Sequence, residues 1–350
     1  MKKIKVGILG ATGTVGQRFI ELLHAHPYFE ITALAASERS VGKKYNDLNT
    51  WKLDSVLPSR IGEMIVQPCS PGMDARVMFS ALDSSVAGAI EIEFARAGYI
   101  VVSNAKNYRM DEDVPLLFPE VNADHTRLIE IQKKNRGFDR GYIVTNSNCA
   151  IMGFVPIVHV LHQHYGVVSV DVTTLQAISG AGYPGVPSMD ILGNVIPYIS
   201  GEEEKIETEP LKIWGQMLQD RIQFASIAIS ASVHRVPVLD GHLASVTAKL
   251  KQLPAIGDIK QKLSEFKSVP QELNLPLAPM RPIVVIEGDD RPQPRRDVTL
   301  EKSMAASVGR IRYDRSGNLK FSCLVHNTVR GAAGGAVLNA ELLHAKGLLE

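Results

Sequence analysis

Lys3-Ile-Lys-Val-Gly-Ile-Leu9 followed by Gly10-Ala-Thr-Gly13-Thr-Val-Gly16 is the stretch on which the fold turns. Lys3 to Leu9 is an apolar run that reads as a buried strand. The glycines permit a tight turn, and an amphipathic helix is predicted from about Val15 to His24. Ile31 to Ala36 is a second apolar strand. A strand, a glycine-rich turn and a helix N-terminus make an anion site suited to a pyrophosphate. The spacing is G-x-x-G-x-x-G, one residue longer in its first gap than the usual dinucleotide turn. The alternative is a turn needed only for packing.

Working outward, more strand–helix units follow: Ala75 to Ala81, a helix from Val86 to Ala97, Tyr99 to Ser103, and a helix from His125 to Lys134. Such alternation predicts a mostly parallel sheet. Asn104 to Asn122 is a long irregular stretch, and loops of this length in compact domains are often functional. Beyond residue 149 the pattern changes. Strands are predicted at Val167–Ile178, Ser226–Val236, His242–Leu250 and Pro282–Ile286. A hairpin is predicted from Ser307–Tyr313 and Leu319–Val325 around Asp314 to Gly317. The expected fold is α/β: a Rossmann-type nucleotide domain, then an α+β catalytic and dimerisation domain on a largely antiparallel sheet. The first is expected over residues 1–148, completed by a C-terminal helix at 331–350, and the second over 149–330.

The chain has 350 residues and a formal net charge of +1, which argues against a general nucleic-acid or membrane role. Three widely spaced cysteines (Cys69, Cys149 and Cys323) suggest neither a disulfide framework nor a zinc cluster, so a metal is not expected and a reducing cytoplasm is. The N-terminus enters a strand at once and reads as having no signal peptide.

Tyr142-Ile-Val-Thr-Asn-Ser-Asn148-Cys149 reads as a strand running into a polar turn, with a helix expected from Ala150 to Leu161 and Asn148 as its N-cap. A cysteine at a helix start faces unpaired N–H groups and the positive end of the helix dipole, which favour the nucleophilic thiolate. Its alternative is a buried structural cysteine. A nucleophilic cysteine needs an acid–base partner, usually His. Arg235 and His242 stand in one segment, although Arg235 also suits a structural salt bridge. At the end of the second strand, Ser37, Arg39 and Ser40 outnumber the single carboxylate of Glu38. Arg39 can pair with a 2′-phosphate, favouring NADP, or be a solvated charge. Gly201 to Glu209 is a charged patch of the kind that is usually a solvated face.

Five segments taken in order resemble the aspartate-semialdehyde dehydrogenase family, on its archaeal and fungal-like branch: Gly7 to Gly16, Ser147-Asn148-Cys149, Gln176 with Ser179 to Gly182, Arg235-Val-Pro-Val with Gly241-His242, and His326 to Gly331. The resemblance covers nearly the whole chain. It implies reversible NADPH-dependent reduction of 4-aspartyl phosphate to aspartate 4-semialdehyde and inorganic phosphate, through a Cys149 thioester, towards lysine, methionine and threonine. It implies His242 as general acid–base, Gln176 and Asn148 beside the nucleophile, and Arg235 on the substrate carboxylate. Glu209 would take the α-amino group, and Lys212 and Arg109 the phosphate. NADP would be held by Gly10, Thr12, Gly13, Thr14, Val15, Ser37, Arg39, Ser40, Ser80, Leu82, Ser179, Gly180, Gly182, Asn327 and Thr328. The resemblance implies a homodimer or homotetramer. Rival readings are a malonyl-CoA reductase, an acetylglutamyl-phosphate reductase type and a non-enzymatic NADP-binding sensor.

Overall fold

A computed structural model describes residues 2–350. Two sheets carry the chain. In the first, β1 (Ile4–Leu9), β2 (Phe29–Ala36), β3 (Gln67–Pro68), β4 (Val77–Ser80), β5 (Ile100–Ser103), β6 (Leu116–Leu117) and β7 (Tyr142–Asn146) lie in the order β3-β2-β1-β4-β5-β7-β6. Every pairing is parallel. All residues of β4, β5 and β7 are buried, as strands covered on both faces must be. Strand order reverses between β1 and β4, which opens a crevice beyond their C-terminal ends. Gly10 leaves β1 there with φ of +76°, and a Cβ on it would come within 2.7 Å of the Ala81 carbonyl oxygen. Only glycine turns the chain so close to the end of β4.

The second sheet is built from β8 (Val167–Gln176), β11 (Ala228–Arg235), β12 (His242–Leu250), β13 (Ile283–Val285), β14 (Ala306–Tyr313) and β15 (Leu319–Val325), with β9 (Gln216–Met217) and β10 (Ile222–Gln223) forming a separate small ribbon. Its order is β11-β8-β12-β15-β14-β13. The expected antiparallel pairing holds from β8 through β12 and β15 to β14, while both outer pairs are parallel. One face packs on the helix Val155–Tyr165 through Val158, Leu161, Val170, Val172, Val246 and Phe321. The other alternates outward with exposed Asp171, Thr173, Ser230, Ser232 and Ser245. The C-terminal helix Gly334–Ala345 returns to the first sheet, where Ala336, Val337, Ala340 and Leu343 pack with Val6, Ile8, Val77 and Val144.

The expected helix from Ala150 does not form in one piece. A 3₁₀ turn, Ile151–Gly153, comes first, and the α-helix begins at Val155 with Pro156 in its first turn. Proline fits there because the first turn needs no N–H from it. Cys149 therefore sits ahead of a short turn, not at the mouth of a long helix. The charged patch is a further difference. Helix Glu202–Ile213 buries Glu202, Glu209 and Lys212 against the two sheets instead of presenting a solvated face. No helix is long and apolar enough to cross a membrane.

Candidate active site

The two sheets meet end to end. β7 delivers Ser147-Asn148-Cys149 at the C-terminal edge of the parallel sheet. Opposite it, β8 ends at Gln176, its parallel neighbour β11 ends at Arg235 paired with Gln176, and the antiparallel β12 begins at His242. Parallel strands end, and an antiparallel strand starts, on the same edge, so three side chains distant in sequence converge on one sulfur. A cavity of about 670 Å³ runs from Gly13, Thr14 and Val15, past Leu82 and Asn104, to Cys149, Gln176 and Arg235. Ser179, Gly180, Gly182, Asn327, Thr328 and Gly331 line it as well. Gly331 lies against the nucleophile: a Cβ there would stand 2.7 Å from that of Cys149.

Cys149 is half-buried in the wall, its Sγ 3.4 Å from Nε2 of His242. Asn148 holds the turn by accepting the Ala150 N–H at 2.7 Å and donating to Glu202 at 2.9 Å. Burial works against the thiolate that the turn of backbone donors favours. Burial, helped by the nearby Glu202 carboxylate, pushes the Cys149 thiol up to about 12. Burial, with Arg235 close by, pushes His242 down to about 3. Both shifts favour the neutral forms, thiol and imidazole, over the ion pair. Arg109, Arg235 and Lys205 act in the opposite sense on the sulfur, though more weakly. Arg235 is buried, donates Nη1 to the Ala177 carbonyl at 2.7 Å and turns its guanidinium to the cavity. Gln176 donates to Thr174 and Glu202, each at 3.3 Å. Asn327 ties the Ser179 hydroxyl (2.8 Å) to the Gly241 N–H (2.8 Å) and so joins the cavity loop to the segment carrying His242.

Lys212 is given a different task from the one the resemblance implied. Fully buried, it donates to the carbonyls of Arg109, Asp111 and Val114 at 2.8, 2.6 and 2.8 Å. An ammonium has three hydrogens, so none remains for a phosphate. Glu209 is engaged too: one oxygen accepts the Asn148 N–H at 2.7 Å, the other pairs with Arg109 at 2.9 Å. Glu202 is engaged to the same degree, one oxygen accepting from Asn148 at 2.9 Å and Gln176 at 3.3 Å, the other pairing with Lys205 at 2.9 Å. The residues on the cavity wall are instead Glu202 and Lys205, with Asn104, Lys106 and Arg109. Glu-x-x-Lys occurs twice on this helix, seven residues apart, and the copy on the cavity wall is the first, Glu202 with Lys205. Asn104 and Lys106 lay in the long irregular stretch already marked as functional. The Asn104 carbonyl side-chain oxygen accepts from Asn146, and its Nδ2 is buried without a partner.

On the nucleotide side, Gly13 precedes helix Thr14–Leu23 with no side-chain cap, leaving its first N–H groups for an anion. Thr12 uses its carbonyl for Gln17. Ser37 and Arg39 are exposed at the end of β2, with Ser40 buried beneath them. Ser80 is wholly buried, below the cavity and not in its wall. Among the described residues, no cluster of His, Cys, Asp and Glu is arranged to hold a metal ion.

Two family models match the chain: a semialdehyde dehydrogenase NAD-binding domain over residues 5–129 and a semialdehyde dehydrogenase dimerisation domain over 158–330. An aspartate-semialdehyde dehydrogenase of Archaeoglobus fulgidus is 49% identical, over 97% of this chain and 98% of its own. One from Cryptococcus neoformans is 47% identical over 99% of each. The chain belongs to the aspartate-semialdehyde dehydrogenase family. A crystal structure of the Candida albicans aspartate-semialdehyde dehydrogenase with NADP superposes with a TM-score of 0.91 at 44% identity, over 99% of both chains. The family fold and the resemblance read from five short segments are thereby borne out, and the rival families are not favoured.

Proposed function

We propose that this chain catalyses the reversible, NADPH-dependent reduction of 4-aspartyl phosphate to aspartate 4-semialdehyde and inorganic phosphate, through a thioester on Cys149. The observation that carries the reading is the cavity in which a nucleophilic sulfur, a carboxylate-binding guanidinium and a cluster of cations open onto the nucleotide crevice. NADP suits that crevice: uncapped helix N–H groups face a pyrophosphate, and Arg39 stands at the end of β2 where a 2′-phosphate is met. When bound, the cofactor supplies or accepts the hydride. The protein's own part is to hold the substrate at the sulfur. Arg235 grips the α-carboxylate, for which a planar fork is suited. Glu202 takes the α-ammonium, and Lys106, Arg109, Lys205 and the Asn104 amide take the phosphate. Gln176 and Asn148 fix the carbonyl beside Cys149.

Incubation with aspartate 4-semialdehyde, phosphate and NADP should yield NADPH, and omission of phosphate should stop turnover. NADPH formed equally well without phosphate, or formed only when free CoA replaces phosphate as the acyl acceptor, would overturn the reading. Glu202→Gln tests the new assignment: it keeps the side chain's shape and loses the charge. The KM for aspartate 4-semialdehyde should rise by roughly 10–100-fold, the size of one charge-assisted contact. An unchanged KM would return the ammonium to another group. Arg39→Ala should raise the KM for NADP by about tenfold or more and leave that for NAD nearly unchanged, because the lost contact is to the 2′-phosphate alone. Equal KM values for the two cofactors in the wild type would remove the preference.

The same proposal includes a homodimer or homotetramer working in the cytoplasm. Support comes from the dimerisation-domain match and from the segment Met189, Leu192, Val195 and Tyr198, whose apolar side chains are exposed next to the edge strand β11, to which Ile196 is bridged at Arg235. Sedimentation at micromolar concentration should give at least twice the chain mass, and Leu192→Asp should lower it.

A further inference from the structure

The loop on the phosphate side of the cavity is anchored from below by a buried acid. Ser80 ends β4 and Ser103 ends β5, and the two are register partners in the parallel sheet, so their hydroxyls share one face. Helix Ser84–Arg96, which connects these strands, brings Glu91 onto that face. All three side chains are wholly buried. The Ser103 hydroxyl donates to Glu91 Oε1 at 2.7 Å and accepts the Ala105 N–H at 3.0 Å. It thereby fixes the first turn of loop 104–109, whose Asn104, Lys106 and Arg109 line the cavity. The rest of the loop is tied to the same helix: Asn107 Nδ2 donates to the Ser84 carbonyl at 2.9 Å, and the Tyr108 hydroxyl donates to that of Gly88. Two buried atoms here, Glu91 Oε2 and the Ser80 hydroxyl, have no hydrogen-bond partner, and Ser80 lies beside the Glu91 carboxyl. One hydrogen on Oε2, donated to Ser80 Oγ, would satisfy both.

We propose that Glu91 is a positioning residue: held as the neutral acid, it bridges Ser80 and Ser103 across the ends of β4 and β5 and so sets the loop on which phosphate is held. The proposal rests on the assignment of loop 104–109 to phosphate. An ionised carboxylate would be poorly served at this depth. Ser103 has a single hydroxyl hydrogen to give. Arg109, the cation that acts on Glu91, already gives Nη1 to Glu209 and Nη2 to the Asn104 carbonyl. Tyr108 is the other titratable group beside it, and a phenol brings no positive charge. Burial raises the Glu91 carboxyl above its ordinary range, outweighing the two serines and Arg109, which act the other way. A neutral acid also places no negative charge beneath a site for an anion. The bridge joins two functions. Ser80 leads into Leu82 and Ser84 on the nucleotide side of the cavity, and Ser103 leads into Lys106 and Arg109 on the phosphate side.

The test pairs infrared difference spectroscopy, wild type against Glu91→Gln at neutral pH, with steady-state kinetics. The wild type should show the carbonyl stretch of a protonated carboxyl that the variant lacks, and this is read without turnover. Glu91→Gln keeps an acceptor for Ser103 and an N–H for Ser80, so the KM for phosphate in NADPH formation should stay within about twofold of the wild type. Glu91→Leu breaks the brace. It should raise that KM by roughly tenfold or more and leave the KM values for NADP and aspartate 4-semialdehyde within about twofold. Ser103→Ala is a smaller change that removes the same link, and it should raise the phosphate KM even if Glu91→Leu does not fold. Absence of the protonated-carboxyl band, a Glu91→Gln enzyme as impaired as Glu91→Leu, or braceless variants with all three KM values unchanged or raised alike would each overturn the proposal. Lys106→Ala separates it from the reading beneath. An unchanged phosphate KM in that variant would fault the placing of phosphate on this loop, whereas a raised one beside unaffected Glu91→Leu and Ser103→Ala enzymes would fault the brace alone.

Discussion

Cys149→Ala should reduce NADPH formation from aspartate 4-semialdehyde and phosphate by roughly 10⁴-fold or more, the scale seen when a covalent nucleophile is removed. NADP binding, followed by fluorescence or calorimetry, should be retained, because Gly13 to Val15 and Cys149 are carried by the ends of different strands. Neither other cysteine can substitute. Cys69 lies near the Ala36 carbonyl at 3.6 Å in the nucleotide domain, and Cys323 is wholly buried within the second core. The raised pKa adds a sign to the test. A thiol held near 12 is almost entirely protonated at neutral pH, so alkylation of the free enzyme should be slow and should accelerate steadily as pH rises above about 8. Substrate should protect. Mass spectrometry that finds inactivated enzyme with Cys149 unmodified, or an alkylation rate that levels off near neutrality, would contradict the assignment or the protonation state respectively.

Glu209→Ala should cost stability first and catalysis as a consequence. The Glu209 side chain is 2% exposed and its partner Arg109 9% exposed, so the pair is shielded from water. Removing the carboxylate leaves the guanidinium buried without its counter-charge and the Asn148 N–H without an acceptor. Breaking one side of a buried pair typically costs about 3–5 kcal/mol. Urea denaturation should show a loss of that size with an unchanged slope, and the surviving folded enzyme should have a lower kcat because the turn carrying Cys149 has lost a tether. The contrast with Glu202→Gln is the point of the experiment. A Glu209→Ala protein as stable as the wild type, with a raised KM for aspartate 4-semialdehyde and nothing else changed, would mean that Glu209 touches substrate after all.

Much of the architecture was legible without coordinates, for reasons that are local. The run from Lys3 to Gly16 encodes a buried strand and a turn that only glycine can make, and both depend on neighbours within a few residues. The alternation of strands with helices ahead of residue 149, and its loss afterwards, separates a parallel from a mainly antiparallel sheet because crossover connections need helices and hairpins do not. The segments carrying Cys149, Gln176, Arg235 and His242 were also legible as motifs; in the structure Gln176 and Arg235 end strands, His242 begins one and Cys149 follows the end of β7.

What only the tertiary structure decided concerns depth and distance. Glu202 with Lys205 and Glu209 with Lys212 have the same spacing and share a helix face, seven residues apart. Sequence periodicity reports the face but not how far along the helix the sheet edges cross it, so it could not say which pair meets the cavity and which lies beneath it. The balance of forces on the Cys149 thiol is hidden for a related reason. A turn of backbone donors is a local feature, whereas the burial that outweighs it comes from chain segments distant in sequence. The placement of the His242 ring depends on the Ala177 N–H, in a peptide plane fixed by hydrogen bonds between strand ends, one of them from Val236 to Gln176, sixty residues away. The linear sequence specifies which groups can take part. Their partners, their depth and their charge arise where the ends of the two sheets face each other.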